Sequence, residues 1–123
     1  NDICIKFSEF VGLTFNSIKK NGDQIDFKTL DGREFYMFHR DDCCESVTIE
    51  DIAGDLKDLL DTPIVEAYES TNRTDPPLFE YSESWTWTFY RIRTIKGTVV
   101  IRWYGTSNGY YSESVSVYER NMS

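Results

Sequence analysis

The stretch SWTWTFYRIRTIKGTVVIRWYG (Ser84–Gly105) has the strongest β-strand pattern in the chain and therefore sets the fold class. Gly97 divides it into two segments rich in aromatic and β-branched residues, the types that strands favour. Residues spaced by two share a face: Trp85, Trp87 and Phe89 in the first segment, and Val99, Ile101 and Trp103 in the second. The pattern predicts two long antiparallel strands joined at Gly97.

The segments on either side extend this pattern. Downstream, Asn108-Gly109 is a turn dipeptide and residues 110–119 alternate again, which predicts a third strand and a three-stranded antiparallel meander. Upstream, the turn dipeptides Asn21-Gly22 and Asp31-Gly32 separate alternating segments, so the first third of the chain predicts another three-stranded meander. Residues 63–70 predict one further strand.

Residues 47–61 carry the one clear helical pattern. Thr48, with Asp51 three residues later, is typical of a capping box. The apolar residues follow the spacing of one helix face: Ile49, Ile52, Ala53, Leu56, Leu59 and Leu60. We therefore expect a single α+β domain, residues 1–123, in which an antiparallel sheet of about six to seven strands packs one main helix, about 48–60, on one face.

The overall composition limits the classes of function. The 123 residues carry a formal net charge of −8 and a pI of about 4.6, which disfavours direct binding to nucleic acid or to anionic membranes. No stretch of about eighteen apolar residues is present, so no membrane-spanning helix is expected. Three cysteines, two of them adjacent, do not form a disulfide framework, and we expect a cytoplasmic protein.

Three segments resemble a known family of small domains. They are DCCESVTIEDIAGDL (residues 42–56), WTWTFYRIRTIKGTVVIRWYG (85–105) and SNGYYSESV (107–115). The chain is similar over nearly its whole length to this family, which occurs in bacteriophage and prophage genomes and has no known function. The resemblance implies a phage-encoded or phage-derived accessory protein that acts inside a bacterial host cell, and it implies no catalytic residues.

The stretch HRDDCCESV, which starts at His39, raises the question of a metal site. His39 and Cys43 are four residues apart, a spacing that zinc ligands use. A zinc site would combine His39 with Cys43 or Cys44 and with carboxylates such as Asp42 or Glu45. The main alternative is a crowded helix entry in which the cysteines act as small apolar residues, and a redox pair or vicinal disulfide is a further one. We expect no cofactor, with zinc as the alternative.

Acidic residues concentrate between residues 41 and 61. Eight acids are opposed by Lys57 alone, so the segment carries −7 of the net charge. Because its apolar stripe would face the sheet, the predicted helix would present its carboxylates to solvent. They would form either a merely solvated face or an acidic surface for a basic partner. The residues of that surface are Asp51, Asp55 and Asp58.

The leading hypothesis is a non-enzymatic accessory protein that binds a host protein and interferes with a host defence or another host factor. The sequence contains no HExxH or phosphate-binding loop motif. The contact would use the acidic helix face or the polar hairpin loop Gly105–Ser114, whose composition suits an adaptable contact surface. The loop residues are Ser107, Asn108, Tyr110 and Tyr111. Exposed sheet edges are compatible with a homodimer.

The C-terminal strands carry another candidate surface. Arg91, Arg102 and Trp103 combine cationic and aromatic groups, which can hold a nucleotide by stacking and charge pairing. This pattern predicts, as an alternative, a binder of a small signal nucleotide. Otherwise the aromatic residues would pack in the core and the arginines would extend to solvent.

Overall fold

Within residues 1–78 and 83–122, which a computed structural model of the chain describes, the alternating segments form nine β-strands and two short 3-10 helices. The strands are β1 (Ile3–Ile5), β2 (Phe15–Lys20), β3 (Gln24–Thr29), β4 (Glu34–Phe38), β5 (Ser46–Ala53), β6 (Glu66–Asn72), β7 (Ser84–Thr94), β8 (Gly97–Ser107) and β9 (Ser116–Glu119). The 3-10 helices are Phe7–Phe10 and Leu56–Leu59.

The hairpin of β7 and β8 is the centre of a four-stranded antiparallel sheet. Its two strands pair over their full length, from Ser84 opposite Ser107 to Thr94 opposite Gly97, as the sequence predicts. Strand β5 pairs with the free edge of β8, and β6 pairs with the free edge of β7. The order of this sheet is therefore β5-β8-β7-β6.

A five-stranded antiparallel sheet forms the other layer, in the order β1-β9-β4-β3-β2. Strands β2, β3 and β4 are consecutive neighbours, which confirms the meander predicted for the first third of the chain. The predicted C-terminal meander is wrong in its third strand, because β9 pairs with β4 and β1 instead of β8. Alternation identifies a strand, but many edges accept the same pattern.

The predicted α+β class with a main helix over about 48–60 is wrong. Strand β5 occupies about the first half of that range, and its pairing with β8 contains a bulge at Glu50. The extra residue at the bulge leaves Ile49 and Ile52 on the same face, opposite Trp103 and Ile101 respectively. A strand with one bulge thus has an apolar spacing of three, which imitates one turn of a helix.

The inner faces of the two sheets meet in one apolar core, to which both sheets contribute. Phe10, on the first 3-10 helix, is fully buried at its centre. Its ring centroid lies 5.0–5.2 Å from those of Phe15, Phe27 and Phe35, in edge-to-face geometry. No helix among the described residues is long and apolar enough to cross a lipid bilayer.

The tryptophans of β7 lie on the outer face of the four-stranded sheet, and the chain after β6 folds over them. The indole Nε1 of Trp85 donates to the carbonyl of Asp75 at 2.7 Å, and that of Trp87 donates to the carbonyl of Pro76 at 3.2 Å. The inner face at this end of β7 therefore carries the alternate residues, Thr86 and Thr88, which are both buried. One end of the interior is polar as a result.

Candidate metal centre

His39 follows the last residue of β4 and is buried against the chain that leads into β9. Its Nδ1 atom lies 2.7 Å from the carbonyl oxygen of Ser114. Because a carbonyl oxygen only accepts hydrogen bonds, Nδ1 carries the proton and donates it. The Nε2 atom therefore points away from Ser114, and this side chain is only 4% exposed.

Two carboxylates converge on Nε2 from the loop between β4 and β5. The Oε1 atom of Glu45 lies 3.4 Å from Nε2, and the Oδ1 atom of Asp41 lies 3.6 Å from it. The side chain of Glu45 is completely buried, whereas that of Asp41 is 76% exposed. One nitrogen and two oxygens thus share a small site that is open to solvent on the Asp41 side.

The backbone of the loop fixes Glu45 in this position. The Oε1 atom of Glu45 accepts the backbone N–H of Asp42 at 2.6 Å and that of Cys43 at 3.3 Å. Burial alone would raise the pKa of Glu45, but these two N–H groups and the neighbouring His39 outweigh it and lower the pKa below its usual value. Glu45 is therefore held as a carboxylate.

Two atoms of this cluster are buried without a hydrogen-bond partner in the part of the chain that the structure describes. They are Nε2 of His39 and Oε2 of Glu45. Buried polar atoms are rarely left unpaired, because desolvation is then uncompensated. A neutral imidazole would also point its lone pair at two negative groups. A bound cation between these groups would balance the arrangement.

The cysteines of this stretch lie apart from the converging atoms. Cys43 and Cys44 are exposed and joined to each other by a disulfide. Of the predicted ligands, the structure therefore brings together His39 and Glu45, while Asp41 takes the place expected of a cysteine or Asp42. Sequence reasoning missed Asp41, whose only signal was its place near the only histidine.

A protein-family model matches residues 8–117, a span that includes the whole cluster. The matching family is described as a domain of unknown function, DUF7448. The chain belongs to this family. The resemblance to a family of unknown function is thereby confirmed, and phage origin stays a prediction. Neither the curated proteins nor the solved structures contain a match to the chain.

In this DUF7448 domain, the residues of the predicted acidic helix face lie on a strand and on a 3-10 turn. The predicted helix face therefore does not exist. Asp51 lies on β5 opposite Arg102. Asp55 caps the second 3-10 helix by accepting the N–H of Lys57 at 2.9 Å. The backbone carbonyl of Asp58 accepts the hydroxyl of Thr94. The carboxylate of Asp55 thus has a local structural role, and protein binding by these acids stays a prediction.

The polar loop of the domain is a crossover between the two sheets instead of a hairpin. Ser107 is buried, and its hydroxyl donates to Glu113. The side chain of Asn108 accepts the N–H of Tyr110 at 3.0 Å, and the Tyr110 residue is 84% exposed. Tyr111 packs edge-on against the Tyr110 ring. Protein binding by this loop stays a prediction.

The predicted nucleotide-binding residues do not form one surface. Trp103 is fully buried in the core of the domain, where its partners are apolar. Arg91 and Arg102 both lie on the outer face of the four-stranded sheet. Arg91 donates to Glu66 at 2.9 Å, and the guanidinium of Arg102 lies 5.3 Å from the ring centroid of Trp87. The combination of Arg102 and Trp103 is therefore excluded as a binding surface.

Proposed function

We propose that the protein is a non-enzymatic binding module with a divalent metal centre formed by His39, Asp41 and Glu45. The observation that supports it best is the buried pair of unpartnered atoms, Nε2 of His39 and Oε2 of Glu45. A divalent cation between the imidazole of His39 and the carboxylates of Asp41 and Glu45 would compensate the burial of Nε2 and of the Glu45 carboxylate, and it would neutralise the two carboxylates. The cation would hold the loop between β4 and β5 against His39. Because His39 is hydrogen-bonded to Ser114, this loop would also be linked to the chain that leads into β9.

Zinc is the metal that suits these donors best. Ligand atoms about 2.0–2.1 Å from a tetrahedral zinc stand about 3.3–3.4 Å apart. The separations of Nε2 from the Glu45 and Asp41 oxygens, 3.4 and 3.6 Å, are close to that value. Imidazole and carboxylate are both good zinc ligands, and the carbonyl of Ser114 supplies the outer hydrogen bond that metal-bound histidines usually have.

The test is zinc titration of the purified chain, with calorimetry for affinity and native mass spectrometry for stoichiometry. We expect one zinc per chain in the wild type. Glu45→Gln and His39→Ala should weaken zinc binding by more than about tenfold, because each removes one donor. Asp42→Asn removes the same charge as Glu45→Gln from a neighbouring exposed position and should leave the affinity unchanged.

A double variant, Cys43→Ser with Cys44→Ser, separates the two possible ligand sets. It should keep its zinc if the carboxylates are the ligands. Loss of zinc in the double variant, with retention in Glu45→Gln, would instead support ligation by the cysteines. Absence of zinc binding by the wild-type chain, reduced or oxidised, would refute a metal centre at this position.

A further inference from the structure

A cleft of about 280 Å³ opens at the polar end of the interior, and Ser114, the hydrogen-bond partner of His39, lies in its lining. One wall is the inner face of β6 and β7, and the other is the crossover between β8 and β9. Its floor is formed by Thr86 and Thr88, which are 4% and 2% exposed. Hydroxyl groups thus occupy positions at which the rest of this inner face carries apolar side chains such as Tyr90 and Ile92.

Glu113 places a carboxylate inside this cleft. It is 5% exposed, and it accepts hydrogen bonds from the hydroxyls of Thr86 at 2.8 Å and Ser107 at 2.5 Å. It forms no ion pair with any residue in the described ranges. Buried carboxylates are costly unless a positive charge is near, so this end of the cleft favours a cation.

The backbone is shaped to admit Glu113 at this depth. Gly105 of β8 is buried directly beneath it, and a Cβ atom at Gly105 would stand 2.9 Å from both the Cβ and the carbonyl oxygen of Glu113. A larger residue at that position would push the crossover outward. The close approach therefore places the carboxylate beside the floor of the cleft instead of in solvent.

Arg73 supplies the opposite charge at the mouth of the cleft. It is exposed, and its Nε atom donates to the hydroxyl of Thr86 at 3.2 Å. The same hydroxyl donates to Glu113, so one threonine separates the guanidinium from the buried carboxylate. Glu69 on β6 adds a further negative group to the wall. The cleft thus has a negative interior and a guanidinium at its rim.

We propose that this cleft binds a small zwitterion of the amino-acid class. Its ammonium group would be bound by Glu113 and the threonine hydroxyls of the floor, and its carboxylate would be bound by Arg73. An ammonium group donates three hydrogen bonds, which suits a site rich in acceptors, and a guanidinium binds a carboxylate through two parallel hydrogen bonds. Metal binding at His39 is not required for this proposal.

The test is an NMR titration of the ¹⁵N-labelled chain, without added metal, with three probes. L-serine carries both charges, propylamine carries only the ammonium group, and propionate carries only the carboxylate. We expect saturable shifts of the Thr86, Glu113 and Arg73 amide signals with L-serine, at lower concentration than with propylamine. Propionate should bind weakest, because the interior of the cleft is negative.

Two variants assign the contacts. Glu113→Gln keeps the shape and should weaken both L-serine and propylamine by at least about tenfold. Arg73→Gln should weaken L-serine but not propylamine, and it supplies the test if Glu113→Gln does not fold. Glu50→Gln, on the opposite edge strand, is the matched control and should bind as the wild type does. Unshifted cleft signals with L-serine, or equal binding in Glu113→Gln, would overturn the proposal.

Discussion

At the scale of single residues, His39 shows how one backbone contact determines the chemistry of a side chain. The carbonyl of Ser114 accepts the proton of Nδ1, so only Nε2 is available to face Asp41 and Glu45. Such an outer hydrogen bond fixes both the tautomer and the ring orientation of a metal-binding histidine. The proposed metal centre thus depends on Ser114, which is 75 residues away in the sequence.

The ion pair between Arg33 and Glu119 leads to a prediction about pH. Arg33 donates to both oxygens of Glu119, at 2.9 and 3.0 Å, and these hydrogen bonds hold the pKa of Glu119 below its ordinary value of 4.5. The Glu119 carboxylate is therefore protonated less readily in the folded state than in the unfolded chain. Stability from the pair is complete above pH 4.5 and is lost as the pH falls through the lower pKa of the folded state.

We therefore expect the free energy of unfolding of Glu119→Gln to fall less steeply than that of the wild type as the pH falls below 4.5. Because the pair is partly exposed, the difference should be only about 0.5 kcal/mol. Urea denaturation at a series of pH values measures it. Identical slopes in the variant and the wild type would contradict the prediction, and exposed Glu50→Gln is the control.

At the scale of elements, β5 and the turn after it show how local backbone geometry replaces the predicted helix. The bulge at Glu50 keeps Ile49 and Ile52 on the inner face. Gly54 then ends the strand with a φ of 102° and lies against β8. Leu56 and Leu59 of the predicted helix lie in a single 3-10 turn, which buries Leu59, and Leu60 follows the turn.

Gly54→Ala should be strongly destabilising for two separate reasons. A Cβ atom would stand 2.5 Å from the backbone oxygen of Thr98, and the φ of 102° is unfavourable for any residue with a side chain. We expect a loss of about 2–4 kcal/mol in the free energy of unfolding, measured by urea denaturation.

Gly109→Ala is the matched control, because Gly109 has a similar φ of 91° but a Cβ atom added there would meet no other atom within 4 Å. Its free energy of unfolding should fall by only about 1 kcal/mol, because only the unfavourable φ contributes and no atom is in the way. Equal losses in the two variants would show that the close approach of Gly54 to β8 contributes nothing.

At the scale of the whole molecule, the first 3-10 helix links the two sheets. Phe10 packs among aromatic residues of the five-stranded sheet, and Phe7 packs edge-on against Tyr90 of the four-stranded sheet at 4.7 Å. The segment before β2 is therefore part of the core and not a peripheral extension. Its aromatic residues pack against rings of both layers.

Phe10→Ala should remove much of the stability of the domain. Phe10 is fully buried among large rings that cannot easily close the resulting cavity, so we expect a loss of about 3–5 kcal/mol. Thermal and urea denaturation measure it. Val11→Ala, at a neighbouring position that is 51% exposed, should change stability by less than about 0.5 kcal/mol. A small effect at Phe10 would mean that this segment is not packed in the core.

The candidate sites were predictable only in part. The stretch around His39 was recognised because its residue types are those of metal ligands, and His39 and Glu45 do converge. Of the alternatives for Cys43 and Cys44, the structure shows the vicinal disulfide, and the exposed position of both cysteines does not fit small apolar residues of the core. Glu113 was not singled out, since its position between Ser112 and Ser114 does not indicate that its carboxylate becomes buried.

Alternation and turn dipeptides act over a few neighbouring residues, so they were enough to predict the meander of β2, β3 and β4 and the β7–β8 hairpin. The pairing of β9 with the other sheet, the bulged strand at residues 47–53 and the contact of Ser114 with His39 depend instead on long-range packing. These outcomes depend on which surfaces are available when the two sheets pack. Several pairings satisfy the same local pattern, and the burial of a shared core selects among them.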